Sequence, residues 1–184
     1  MRLKNPFLIG ERVYLRPLDR EDAATLQRFI NHPDVRHTIT KWRPATIEDE
    51  VEFLARVAGS TTEIVLGIVL RADDRLIGSI GLASIDWPNR NAMLGIEIGE
   101  IGEWDKGYGR EATELLCRHA FDRLNLHRVG LLVYEFNERG RHVYEQLGFR
   151  EEGRLRESLS RDGRYADTIV MGLLAEEWRA KRGA

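Results

Sequence analysis

The sequence predicts an α/β (α+β) fold, with a mixed central sheet of about seven strands between flanking helices in the order β-αα-βββ-α-β-α-ββ. Three observations predict it. Apolar residues recur at strand spacing in some segments and at helix spacing in others, and the two kinds interleave along the chain. Between residues 64 and 85, two apolar runs rich in β-branched residues flank the polar turn Ala72-Asp73-Asp74-Arg75, which reads as a hairpin. The 184 residues suit one hydrophobic core, and no repeat, low-complexity stretch or linker divides them, so residues 1–184 are read as one domain.

Taken in order, Glu11-Arg12-Val13-Tyr14-Leu15-Arg16 alternates like a half-buried strand and ends at Pro17. Asp19 and Asp22 have the spacing of an N-cap pair for a helix to about Asn31, with Leu26, Phe29 and Ile30 as its stripe. His32-Pro33 stops it, and residues 33–45, without a period, read as a loop. Thr46 with Asp49 opens a second helix, Ile47 to about Ala58, apolar at 47, 51, 54 and 57/58. Ile64–Leu70 and Leu76–Ile85 form the hairpin; after the turn Asp86–Asn91 a third strand runs from Ala92 to about Glu100. A longer helix spans Gly107 to about Leu124, followed by a strand, His127–Tyr134, and a short helix, Asn137–Leu147, that Gly148 ends. Phe149–Ser158 and Tyr165–Leu174 make the last hairpin, and Ala175–Arg182 is a short polar helix expected to fray.

Composition removes several function classes. With 28 Lys+Arg, 30 Asp+Glu and a net charge of −2, the chain lacks the basic surface of a general nucleic-acid binder. No run approaches the length of a membrane span, and Met1-Arg2-Leu3-Lys4-Asn5-Pro6 lacks the apolar stretch of a secretory signal, so a cytoplasmic location is expected. The single cysteine, Cys117, cannot form an internal disulfide or a zinc site alone, and reads as a packing residue with no activating neighbours.

Three segments can carry chemistry. In Trp104-Asp105-Lys106-Gly107-Tyr108-Gly109-Arg110-Glu111-Ala112, two glycines keep side chains away from a helix start, leaving free N–H groups at the positive end of the dipole, a geometry that binds phosphate. The alternative is a glycine-containing helix start with no ligand. A dinucleotide fingerprint would need glycine where Ala112 stands, and a P-loop its Gly-Lys-Ser/Thr. In the preceding strand, Leu94, Ile96 and Ile98 share one face, and Gly95, Glu97 and Gly99 the other. A carboxylate between two glycines stands in cleared space as a candidate general base, or as an edge charge that blocks aggregation; Glu100 and Glu103 are fallback bases. In the third segment Asn137 is a good N-cap, Gly140 signals a close approach to the helix surface, and Tyr144 lies one turn beyond, as a functional or a packing tyrosine.

The pairing of Lys106-Gly107-Tyr108-Gly109-Arg110-Glu111-Ala112 with Asn137 and Tyr144-Glu145-Gln146-Leu147-Gly148-Phe149 resembles the GCN5-related N-acetyltransferases (GNAT), in particular their ribosomal-protein-alanine and polyamine N-acetyltransferase branch. The order of elements is similar from Glu11 to about Leu174, and Gly10–Leu18 and Phe149–Gly153 also look like that branch. The resemblance implies acetyl-coenzyme A as the acetyl donor, no metal, and a splayed V between the strand ending near Gly99 and the strand beginning at His127. The pantetheine arm would pair with backbone at Ile98, Gly99 and Glu100, and the pyrophosphate would rest on the amides of Lys106, Gly107, Tyr108, Gly109 and Arg110. Asn137 would bond the arm, with Gly140 where alanine or serine is usual, and Tyr144 would protonate the departing thiolate. Trp104 stands where the family signature begins with Gln or Arg, which puts one polar phosphate contact in doubt. No family motif fixes the base, and Glu97 is inferred from the residues themselves.

The leading expectation is therefore transfer of acetyl to the amine of a protein N-terminus, with a polyamine such as spermidine, or another small amine, as the alternative. The acceptor would enter over the loop 33–45, the Trp87 turn and the hairpin near Ser158–Tyr165, and Glu97, Glu100, Glu103 and Asp86 could attract a cation. A non-catalytic acyl-coenzyme A sensor is the reading from another class, and a nucleotide-binding domain is disfavoured. A homodimer is expected from the resemblance alone.

Overall fold

The computed structural model describes residues 3–183 and contains one eight-stranded sheet with helices on both faces. The chain runs β1 (Leu8–Ile9), β2 (Val13–Pro17), α1 (Ala23–Asn31), α2 (Pro33–Thr38), α3 (Ile47–Ala58), β3 (Ile64–Leu70), β4 (Leu76–Asp86) and β5 (Asn91–Ile98). It continues α4 (Tyr108–Asp122), β6 (Arg128–Tyr134), α5 (Glu138–Leu147), β7 (Arg150–Arg161), β8 (Arg164–Leu174) and α6 (Ala175–Arg182). The sheet order is β1-β2-β3-β4-β5-β6-β8-β7, antiparallel throughout except for β5 beside β6.

Local chemistry explains most boundaries. Thr46 and Asp49 cap α3 reciprocally: Asp49 N donates to Thr46 Oγ1 at 3.1 Å and Thr46 N to Asp49 Oδ2 at 2.8 Å. Asp22 accepts from Asp19 N at 2.8 Å but also clamps Arg16 with two 2.8 Å bonds, so the chain makes one tight turn, Arg20–Asp22, before α1 begins. Gly148, in the left-handed region at φ +102°, ends α5.

Four expectations are corrected. The sheet has eight strands, because Leu8 and Ile9 pair with Leu15 and Tyr14; two residues are too few to show a period. The expected loop 33–45 contains α2, since Pro33, which stops one helix, stands at the first turn of the next while His32 Nδ1 accepts from Asp34 N at 3.2 Å. The third central strand stops at Ile98, because Gly99 N and Glu100 N both turn to Ile77 O, at 2.9 and 3.1 Å. The C-terminal helix is docked, not frayed: Trp178 is buried, its ring 5.8 Å from that of Phe121.

Two apolar layers hold the sheet. On one face Leu115, Leu116 and Phe121 of α4 and Trp178 of α6 pack on Ile80, Leu82 and Leu131; on the other, Leu26 and Phe29 of α1 and Leu54 of α3 pack on Tyr14, Val69 and Leu76. The feature that positions the site is a failure of pairing. β5 and β6 meet only at Asn91/Arg128, Ala92/Val129 and Met93/Gly130, whereas β5 stays on β4 to Ile98 and β6 stays on β8 to Tyr134. Beyond three rungs the sheet splits.

Gly99 belongs to the packing against α1. A Cβ there would lie 2.0 to 2.4 Å from Phe29 atoms. Gly99→Ala should therefore lower stability by about 1–3 kcal/mol, as overpacked cores do, seen as a lower urea midpoint at unchanged slope. An unchanged midpoint would show that α1 is free to shift away.

Candidate active site

The split exposes backbone. Odd-numbered residues of β5 exchange bonds with β4, so alternation turns the N–H and C=O of Ile96 and Ile98 toward the gap, where no strand meets them. One of these groups is occupied: the indole Nε1 of Trp104 donates to Ile98 O at 2.7 Å. Gly99 and Glu100 do not join the gap, since their amides are committed to Ile77 O. Of the three residues expected to pair with an extended arm, the structure brings only Ile98 to the cleft wall.

The start of α4 closes one end of the cleft. Gly107 caps the helix with φ +81°, a conformation strained for any side chain. The first helical bond is Glu111 N to Gly107 O at 3.1 Å, so among the described residues the amides of Tyr108, Gly109 and Arg110 have no acceptor. They sit at the positive end of a fifteen-residue helix. A Cβ on Gly109 would meet Ile98 and Ile96 only at 3.7 and 3.8 Å, so the protein's own packing does not demand glycine there; bareness around the amides is what it supplies. Lys106 turns away to Glu103 (2.9 Å), while the exposed Arg110 lines the cleft.

What holds this helix start was not visible as a site in the sequence. Glu111 Oε1 accepts from Arg12 N at 2.9 Å and Val13 N at 3.2 Å, and its Oε2 from Arg12 Nε at 3.1 Å. Arg12 Nη1 donates to Lys106 O at 2.8 Å. A Cβ on Gly10 would lie 2.4 Å from Glu111 Oε1, so that glycine makes room for the clamp. The only hint was the likeness of Gly10–Leu18 to a family segment.

Across the cleft, Asn137 caps α5 by accepting from Gly140 N at 3.0 Å. A Cβ on Gly140 would come within 2.9 Å of the Asn137 amide, so the close approach expected at Gly140 is made by Asn137 itself. Its Oδ1 is used by the cap, and Nδ2 remains as a donor. Tyr144 is 9% exposed and lines the cleft; burial pushes its hydroxyl up to about 12, so it is protonated at neutral pH. The guanidinium of Arg139 lies 4.5 Å from the Trp104 ring and pairs with Asp105 at 2.9 Å, bridging the two walls. The whole cleft encloses about 970 Å³.

Glu97 reaches this cleft from the face that carries α1 and α3. Gly95 beside it has nothing within 4 Å of an added Cβ, as the clear space required; Gly99, on the other flank, is filled by Phe29. Loss of water, then the charge of Glu50, push Glu97 up to about 7 against a long Ser79 hydrogen bond of 3.4 Å and the more distant Lys41. The fallback bases differ. Lys106 and then Arg75 hold Glu103 below the usual carboxylate range, and Glu100 lies 3.6 Å from Arg28 and 3.9 Å from Arg75. The Trp87 turn and Asp86 lie at the opposite end of β5 from Ile98, which removes them from the acceptor path. Cys117 is buried and its thiol is pushed up to about 12 by burial, so it supplies no thiolate. Among the described residues, no group of three or more His, Cys, Asp or Glu is placed to hold a metal ion, and no helix is long and apolar enough to cross a membrane.

The acetyltransferase (GNAT) domain model matches residues 12–150. The chain belongs to the GNAT acetyltransferases. It is 30% identical over 172 residues to a spermidine N(1)-acetyltransferase of Vibrio cholerae, covering 92% of this chain and 97% of that one. It is likewise 30% identical over 183 residues to a Bacillus subtilis protein provisionally named a ribosomal N-acetyltransferase, covering 95% and 97%. A crystal structure of the Vibrio cholerae spermidine N-acetyltransferase with CoA and spermine superposes with a TM-score of 0.86 at 26% identity, over 92% of this chain and 99% of that one. The GNAT chain takes its acetyl group from acetyl-CoA. Three partnerless amides and a bare Gly109 fit the diphosphate, and the open backbone of Ile96 with the N–H of Ile98 fits an extended amide-bearing arm.

Acetyl-CoA at a hundred times its dissociation constant should raise the melting temperature by roughly 5–10 °C, whereas ATP or NAD should do little. Arg12→Ala should weaken acetyl-CoA binding about tenfold by calorimetry, because it frees the helix start. Equal stabilisation by all three nucleotides would show a general nucleotide site in place of one built for acetyl-CoA.

Proposed function

We propose that this acetyltransferase modifies the α-amine of a protein or peptide N-terminus, with Glu97 as general base and Tyr144 as general acid. One observation carries the choice of acceptor. Of the carboxylates near the end of β5, Glu100 and Glu103 are pinned by Arg28, Arg75 and Lys106, and Glu97 alone faces the cleft without an adjacent cation. That arrangement receives one ammonium group. A polyamine brings two or three. Neighbouring walls suit a chain-like acceptor: Arg161 at the tip of the β7–β8 hairpin donates to Arg36 O at 2.9 Å and Ile39 O at 3.0 Å, joining hairpin and α2 into one rim.

The residues then divide the work. Glu97, poised near neutrality, takes a proton from the acceptor ammonium and leaves a neutral amine beside the gap. Acetyl-CoA supplies the activated acyl group. The N–H groups of Ile96 and Ile98 are fixed donors for an acyl oxygen that gathers charge, and Asn137 Nδ2 is a donor for the arm. Tyr144, held neutral by burial, gives its proton to the leaving sulfur.

A polyamine acceptor is the second reading. Asp34 of α2 lines the same cleft with an exposed carboxylate, which gives a second ammonium somewhere to rest. Thiol release with a panel of N-terminal peptides, spermidine and simple amines decides between them: peptides should show the highest kcat/KM. Preference for spermidine would overturn the N-terminal reading and leave the acetyltransferase intact.

Tyr144→Phe should lower kcat at least about tenfold at pH 7 with little change in acetyl-CoA affinity, and Glu97→Gln should lower kcat/KM about a hundredfold. Since Glu97 acts only when deprotonated, kcat/KM in the wild type should rise with pH through about 7 and level off above it. Full activity in either variant excludes that side chain from proton transfer.

A further inference from the structure

We infer that Arg161, at the tip of the β7–β8 hairpin, is a positioning residue that holds α2 as the specificity wall of the acceptor mouth; this rests on the amine reaching Glu97 past α2. Asp34, Val35, His37 and Thr38 of α2 line the same cleft as Glu97, and the His37 ring lies 4.7 Å from that of Phe136, which lines it too. By itself α2 is poorly anchored. Six residues form too short a helix to hold alone, and among the described residues its one buried side chain, Val35, belongs to neither apolar layer of the sheet. Of the carbonyls its last turn leaves open, Val35 O accepts from Thr38 Oγ1 at 2.9 Å. Arg36 O, and Ile39 O just beyond the helix, share the Arg161 guanidinium at 2.9 and 3.0 Å. One fork therefore closes the end of α2, with its positive charge at the negative end of the helix dipole. Asp162 adds a second contact, its Oδ2 3.9 Å from His37 Nδ1.

The hairpin is shaped to deliver that fork. β6 pairs with β8 only as far as Tyr134 and Thr168, and beyond them β7 and β8 project as two strands. At the point of departure Arg156, Glu157 and Ser158 stand opposite Asp167 alone, a bulge of the kind that bends a strand and re-aims its side chains. Glu157, in the left-handed region at φ +49°, donates its N–H to Asp167 Oδ1 at 2.9 Å, and Ser158 Oγ donates to Thr168 Oγ1 at 2.7 Å. Asp167 N in turn donates to Glu135 Oε1 at 3.0 Å, and Glu135 N to Asp167 O at 3.1 Å, just before the Asn137 cap. Asp162 and Gly163, at φ +52° and +76°, then close a tight hairpin turn directly after Arg161. Bend, turn and fork make one rigid arm from the Asn137 wall to α2. An acceptor that continues beyond its reacting nitrogen passes Asp34 and His37 and senses where α2 stands; a bare amine does not.

The test is steady-state kinetics at saturating acetyl-CoA with an N-terminal peptide, spermidine and ethylamine as acceptors, and calorimetry for acetyl-CoA affinity. Arg161→Ala should raise KM about tenfold for the preferred long acceptor, with its kcat, the kcat/KM of ethylamine and acetyl-CoA affinity within about twofold of wild type. Asp167→Ala should raise the same KM, and Asp167→Asn, which keeps an oxygen for Glu157 N, should restore it. The double variant Arg161→Ala/Asp167→Ala should be no worse than Arg161→Ala, because both act through one arm. A KM unmoved by Arg161→Ala, an equal loss for ethylamine, or additive effects in the double variant overturns the inference, while a still impaired Glu97→Gln leaves the base in place. Full activity in Glu97→Gln overturns the base and this inference with it. If circular dichroism shows Arg161→Ala unfolded, Asp167→Ala decides alone, and an unmoved KM there counts against the inference.

Discussion

Everything in this chain that can perform acetyl transfer depends on β5 and β6 parting after three paired residues each. A sheet interior normally satisfies every backbone group, and an unpaired buried N–H or C=O is expensive. Here the cost falls on Ile96 and Ile98, at the junction between a half-sheet held by α1 and α3 and another held by β8. In the proposed binding mode an amide-rich arm entering the gap would meet Ile96 and the N–H of Ile98, a deficit already built into the fold. The gap also connects the two faces of the sheet. The α4 side offers amides to phosphate, while the α1/α3 side offers a carboxylate to an amine, and the reacting groups can meet only in the split.

The two ends of the cleft are tied down by contacts that have no local signature. Arg12 and Glu111 lie 99 residues apart in sequence, yet their bonds fix where α4 begins and thereby where its three open amides point. Trp104 shows how a departure from a family motif is absorbed. In place of a polar side chain directed at phosphate, its indole fills the Ile98 carbonyl, and Arg139 stacks on its outer face. The cradle then relies more heavily on backbone, and Trp104 and Arg139 connect the walls on either side of the arm.

Legibility followed the range of the physics. The Gly107-Tyr108-Gly109 helix start, the Asn137 cap and the alternation that isolates Glu97 each arise within a few residues, and each could be read from the chain. β1 and α2 were missed because two and six residues carry no measurable period. Gly140 was legible as a close approach and Gly99 as cleared space beside Glu97, but Asn137 makes the first approach and Phe29 fills the second space. Glu50 was hidden in plain composition. Glu48, Asp49 and Glu50 together look like acids complementing a helix dipole, and only the rotation of α3, which exposes Ile47 and buries Glu50, separates the third from the other two.

That rotation has an electrostatic consequence for the whole acceptor face. Four carboxylates cluster around the end of β5 and the start of α3, and the protein treats them in two ways. Glu100 and Glu103 are bridged to guanidinium and ammonium groups, and Lys106 and then Arg75 hold Glu103 below the usual carboxylate range. Glu50 and Glu97 have a single lysine nearby, and burial raises both above the usual carboxylate range, Glu97 to about 7. The same residue type thus serves as structural anion a few residues from the proposed base, and the difference lies in where Arg28, Arg75 and Lys106 were placed. Moving one of those cations toward Glu97 would hold it as an anion at every physiological pH, a stronger salt bridge and a weaker base.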